Sequence, residues 1–107
     1  MIDRPPMRLP VKGTDESVVL GFDFSDEAVS VSSATLTVTV EPGVAEDPTP
    51  ASILTGAYQI DPTNAARVLQ RVSAGVDQVD YYIKATAPGN GADILTRGAI
   101  LPVRSQV

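Results

Sequence analysis

Apolar and polar residues alternate with a period of two along much of this chain, the signature of half-buried β-strands. Val18, Leu20, Phe22 and Phe24 share one face of a run whose other face carries Val19, Gly21 and Asp23. In Ala34-Thr35-Leu36-Thr37-Val38-Thr39-Val40 the apolar positions alternate with threonines, whose β-branch suits the pleat while the hydroxyl stays wet. From Tyr81 to Ala87 the pattern directs Tyr81, Ile83, Ala85 and Ala87 inward and Tyr82, Lys84 and Thr86 outward. A last strand spans about Ile94 to Val103, with its register open. Leu95, Ala99, Leu101 and Val103 share a parity with Arg97, while Ile94 and Ile100 lie opposite. Pro102 lacks an N–H, so this stretch is expected at a sheet edge or past the end of its ladder.

Weaker strands fill the intervals. Met7 to Val11 reads as a short edge strand interrupted by Pro10. Ile53-Leu54 and Ala57 to Ile60 flank Thr55-Gly56. Arg67 to Val72 reads as a strand with Val68 and Val72 on one face. A helix is the competing reading there, capped at Asp61-Pro62 with Ala65, Ala66, Leu69 and Val72 as its stripe. Turns fall at Glu41-Pro42-Gly43, Asp47-Pro48-Thr49-Pro50 and Ala74-Gly75, and at Pro88-Gly89-Asn90-Gly91, whose Asn-Gly suits a hairpin. About seven short strands in one small domain form the pattern of an all-β, antiparallel two-sheet sandwich. The expected organisation is a stiff, Pro-rich N-terminal arm over 1–10 and a sandwich domain over 11–107.

Composition narrows the chemistry. With 107 residues the chain has room for one core, and with five aromatics and no Trp that core is mostly aliphatic. A net charge of −5, with cations scattered from Arg4 to Arg104, argues against nucleic acid. There is no cysteine, which removes disulfides and thiolate chemistry, and no histidine, the commonest general base and metal ligand. No apolar run approaches the roughly eighteen residues of a membrane span, and 1–10 lacks the apolar segment of a signal peptide. Ser25, Ser30, Ser32 and Ser33 have no base in sequence, and Lys12 and Lys84 read as solvated surface lysines. Asp23, Asp26 and Glu27 cluster around one loop and Asp77 and Asp80 flank another, giving calcium a weak claim through oxygen ligands. Gly89-Asn90-Gly91 lacks the Gly-Lys-Ser/Thr ending of a phosphate loop. The expectation is a protein with no catalytic, cofactor or small-molecule site.

Two tyrosines stand apart. Tyr81 opens a penultimate strand after Gly75 and Asp77, where sandwich domains place a core tyrosine whose hydroxyl satisfies nearby backbone. Tyr82 points outward, either as a partner anchor or as an ordinary exposed aromatic.

Several of these features together resemble the small structural proteins of tailed bacteriophages often labelled fiber-tail adaptors. They are Phe22-Asp23-Phe24-Ser25, Ser33-Ala34 opening the Thr/Val strand, Ile53-Leu54-Thr55-Gly56, Gly75 before Tyr81-Tyr82-Ile83, and Leu101-Pro102-Val103. Ala74-Gly75 stands where a double glycine is common, and the 61–66 insert is long. The resemblance implies an immunoglobulin-like sandwich and a non-enzymatic role in the virion, docking onto head, connector, tail or fiber subunits in a symmetric, multi-copy assembly. A capsid decoration protein is the alternative within the particle, and a carbohydrate- or surface-binding module the alternative outside it. The resemblance carries over no binding residue. The arm supplies the expected contacts, Ile2, Pro5, Pro6, Met7 and Leu9, with Tyr82 as a sixth.

Overall fold

Two β-sheets stacked face to face make up the protein in its computed structural model, which describes residues 7–43, 45–89 and 93–105. Eight strands follow in chain order: β1 (Met7–Arg8), β2 (Lys12–Gly13), β3 (Ser17–Asp23), β4 (Thr35–Val40), β5 (Leu54–Asp61), β6 (Asn64–Ser73), β7 (Asp80–Pro88) and β8 (Ile94–Arg104). One sheet runs β1-β8-β7-β4 with β2 also on β8, and the other runs β3-β6-β5. The fold is an all-β sandwich, as the alternation implies, and its two sheets are arranged in the immunoglobulin-like way that the resemblance implies.

The alternation sets the core. Leu20, Phe22 and Phe24 meet Val68 and Val72 from β6 and Tyr81, Ile83, Ala85 and Ala87 from β7, all buried. Val19 and Asp23 stand outside, and so do the β4 threonines. Within 62–72 the chain is strand from Asn64 onward, part of β6, which pairs with β3 from Ser17↔Ser73 to Asp23↔Arg67 without a break. Asp61-Pro62 is therefore a hairpin turn and not a helix cap. The Asp61 carboxylate accepts the Thr63 N–H at 2.9 Å, and Asn64 pairs back to Asp61.

The β8 register is settled by burial. Leu95, Ala99, Leu101 and Val103 are in the core, and Arg97 faces the same way. Pro102 corrects the edge expectation, because β8 lies inside its sheet between β7 and the β1/β2 pair. It is tolerated because Val103 donates to Val79 O and accepts from Gln78 N–H, both on the β7 side. Pro102, one residue back, turns its nitrogen the other way, into the interval between β1 and β2.

Three further expectations are modified. Met7 to Val11 is not one strand; β1 and β2 are two short pieces that run parallel to β8, so the sandwich is not purely antiparallel. Ile53 closes a single 3-10 turn over Pro50–Ile53, and the two weak strands after it are one strand, β5, bulged at Gly56, whose φ is +72°. Opposite the bulge the buried Gln70 donates its side-chain N–H to Gly56 O at 3.2 Å and Arg71 O at 2.9 Å. The Asn90-Gly91 turn lies outside the described residues, although Pro88↔Ile94 fixes the hairpin it belongs to.

Lys12 is the plainest reversal, since it is buried and not solvated. Its Nζ donates to Gly13 O at 2.7 Å and to Ala74 O at 2.6 Å, pinning β2 to the turn between β6 and β7. Desolvation lowers its pKa, against the opposing pull of Glu16 and Asp15. Lys12→Met is expected to cost about 1–2 kcal/mol in urea unfolding, because it keeps the stem and strips two carbonyls of a charged donor. An unchanged midpoint would show those carbonyls to be adequately hydrated.

Candidate functional site

Sequence and structure both direct attention to surfaces, and three of them are built well enough to describe. The first is the end of the sandwich carrying the β3–β4 loop, the β5–β6 turn and the start of β8. Phe24 donates to Ala66 O and Val31 to Ala65 O, both at 2.9 Å, which ties the β3–β4 loop to the start of β6. Arg97 on β8 reaches Asp26 of that loop at 2.6 Å and Glu27 at 3.6 Å, while its guanidinium lies 5.2 Å above the Phe24 ring. On this braced loop Val29 is 89% exposed, and Ile94 nearby in the same strand as Arg97 is 60% exposed. Pro62, in the β5–β6 turn, and Pro88, the last residue of β7, are exposed at this end as well.

The second surface is a groove of about 460 Å³ along one side of the sandwich, between β3 and β1. Met7, Leu9, Leu20, Phe22 and Ala99 give it an apolar floor and wall, and Asp23, Asp26 and Arg97 line its charged end. The third is the opposite end, where the β4–β5 loop meets the turn before β7. Tyr81 is fully buried there; its hydroxyl accepts the Val76 N–H at 2.8 Å and donates to an Asp47 carboxylate oxygen at 2.7 Å. This is the backbone-satisfying role expected of Tyr81, with Asp47 as an added partner. Burial pushes the Tyr81 pKa up to about 12, and the Tyr81 hydrogen bond holds Asp47 below the usual 3.8.

The carboxylates considered for calcium are tied to other partners. Asp23 accepts the Ser25 N–H at 2.8 Å, and hydrogen bonds from Ser25 lower its pKa. Asp26 and Glu27 hold Arg97. Asp77 caps the Ser105 N–H at 2.8 Å, and Asp80 pairs with Arg104 at 3.0 Å and Arg8 at 3.5 Å. Among the described residues no three acidic groups converge as a metal-ion site would require. No helix among them is long and apolar enough to cross a membrane.

Of the contact residues expected from the sequence, Ile2, Pro5 and Pro6 lie outside the described residues. Met7, 61% exposed, sits on β1 at the lip of the groove, and Leu9 is half-buried against the core, its N–H on Ile100 O. Residues 7–9 of the expected arm are thus joined to the sheet. Tyr82 is half-buried, its ring lying across Gly98 on the outer face of β8; a Cβ at Gly98 would stand 2.6 Å from the Tyr82 hydroxyl. It does not meet Met7 and Leu9 in one patch of the groove lining. The exposure of Val29 has no counterpart in the sequence pattern, because a lone valine in a loop carries no periodic signal.

Compared with protein-family models, curated proteins and solved structures, the chain gives no match in any of the three.

Proposed function

We propose that this chain is a non-enzymatic structural adaptor of a tailed-bacteriophage virion, docking onto neighbouring head, connector, tail or fiber subunits. The observation that carries the reading is the loop end, where Val29 and Ile94 hold apolar side chains in water on a frame braced by Arg97. A rigid platform that presents apolar side chains loses little entropy when a partner covers them. Charged groups near it are engaged in holding loops, which suits adhesion better than turnover. The resemblance to small phage structural proteins supplies the virion setting. The N-terminal contacts Ile2, Pro5, Pro6, Met7 and Leu9, with Tyr82, belong to the same proposal.

The test is quantitative mass spectrometry of purified particles from cells that produce them. A fixed stoichiometry is expected, on the order of tens of copies for a symmetric neck or tail part. Hundreds of copies would move the address to the capsid shell and favour decoration. Complete absence from the particles would overturn the virion role. Replacing Val29 with Asp is expected to leave the fold intact and reduce incorporation; full incorporation of that variant would remove the loop end as the docking surface.

A further inference from the structure

We infer that β3 is a homotypic edge: two copies of this chain join there, strand to strand, about a two-fold axis passing beside Leu20. The inference is independent of the virion reading. It begins from a comparison of the sheet edges. β5 is broken by its Gly56 bulge, β1 and β2 are two residues each, and β4 lies against the 3-10 turn at Pro50–Ile53. β3 alone is a regular seven-residue edge, with no proline, lysine or register shift, and among the described residues nothing pairs with its outer side. Edges of that kind are normally blunted or covered, because their unpaired backbone groups template another strand.

The backbone parity fits self-pairing. Phe24 donates to Ala66 O, so the even-numbered residues of this strand face β6. Ser17, Val19, Gly21 and Asp23 therefore direct their N–H and C=O outward. An antiparallel pair of identical strands needs outward residues opposite outward residues. Centring the axis on Leu20 meets that condition, placing Val19 against the partner's Gly21 and Ser17 against the partner's Asp23.

Side chains favour the same register. Ser17 Oγ accepts from Arg71 at 3.1 Å, so each Asp23 would arrive beside the guanidinium of the partner's Arg71, and symmetry supplies the contact twice. Asp23 and Arg71 are both exposed in the single chain. Val19, 48% exposed, would lie opposite Gly21, over which the Arg67 guanidinium already lies, so the partner's valine packs beside that planar group. The apolar groove opens along the same side, so the two grooves face each other and Met7, Leu9, Leu20 and Phe22 of both copies close the seam.

Sedimentation of the full chain over a range of concentrations tests the inference. A reversible dimer is expected. Val19→Lys, which places a charge in the seam, and Asp23→Arg, which sets like charges together, should each weaken it by about tenfold or more while circular dichroism stays unchanged. Combining Asp23→Arg with Arg71→Asp should restore the dimer, a rescue that a merely destabilised fold would not show. A chain that stays monomeric throughout the range overturns the inference. So does a dimer indifferent to both substitutions, or a full-length monomer that dimerises only after residues 1–6 are removed, since the chain's own first residues would then be what covers β3.

Discussion

Phe24→Ala is expected to lower the unfolding free energy by about 3–5 kcal/mol, the usual range for emptying a buried phenylalanine site. Phe24 is fully buried immediately after β3, where the residue does three things. Its side chain fills the core, in a protein with only five aromatic residues to do so. Its ring supports the Arg97 guanidinium, a contact worth about 0.5–1 kcal/mol or more when partly desolvated. Its carbonyl accepts the Ala28 and Glu27 N–H groups at 2.9 and 3.0 Å, forming the turn that carries Asp26 and Glu27 to Arg97. The alanine variant keeps those backbone bonds but removes the surface on which the loop rests. Urea unfolding with an unchanged m-value would measure the loss. A cost under about 1 kcal/mol would mean that neighbouring side chains collapse into the site. The loop end should also loosen, seen as faster amide exchange at Val31 than in the parent protein.

Strands with one wet and one dry face were legible in the sequence, and the reason is physical. β3, β4 and β7 each place apolar residues on every second position because water lies on one side of the sheet. β8 resisted because Arg97 turns inward among apolar side chains while Ile94 and Ile100 lie on the outer face. Its parity therefore shows no clean division until Asp26 and Glu27, about seventy residues earlier, are placed beside it. Segment 62–72 was ambiguous for a different reason. Ala65, Ala66, Leu69 and Val72 satisfy a helical stripe as well as a strand does, and only the full pairing of β6 with β3 decides.

Buried polar groups were the least legible. Lys12 is buried because Ala74 O, on the far side of the sequence, gives its ammonium a second acceptor; no local pattern announces that. Gln70 is buried because the β5 bulge presents a carbonyl to it. Both are answers to backbone groups that a bulge or turn leaves unpaired, so they become visible only once the topology is known. Tyr81 was the exception. Its place at the start of β7, after a turn with Ala74 at φ +57° and Gly75 at φ +105°, marks a corner where backbone polar groups need a side-chain partner. The proposed docking surface was legible only in part. The edge character of the N-terminal stretch follows from its prolines, whereas the exposure of Val29 and the even regularity of the β3 edge require the fold.

Tyr81→Phe is expected to cost about 2–3 kcal/mol at neutral pH, since it removes a charge-assisted hydrogen bond to Asp47 and strips the Val76 N–H of its acceptor without changing the shape of the core. The pH dependence separates this from a packing effect. The folded Tyr81 pKa of about 12 lies above the ordinary 10.0, so the folded state holds this proton more tightly than the unfolded chain does. The resulting stability is complete below pH 10 and is lost as pH rises toward and through about 12, a loss of about 2–3 kcal/mol by linkage. Asp47 runs the other way. Its folded pKa lies below 3.8, chiefly because Tyr81 donates to the ionised carboxylate, so its contribution is present above that value and fades as pH falls through the lowered one. The difference in stability between the parent protein and Tyr81→Phe should therefore be greatest on a plateau from about pH 5 to pH 9 and shrink at both extremes. Chemical denaturation at a series of pH values reads that difference directly, because other titrating groups affect both proteins alike. A difference that stays constant from acid to alkali would show that the phenol contributes only its bulk.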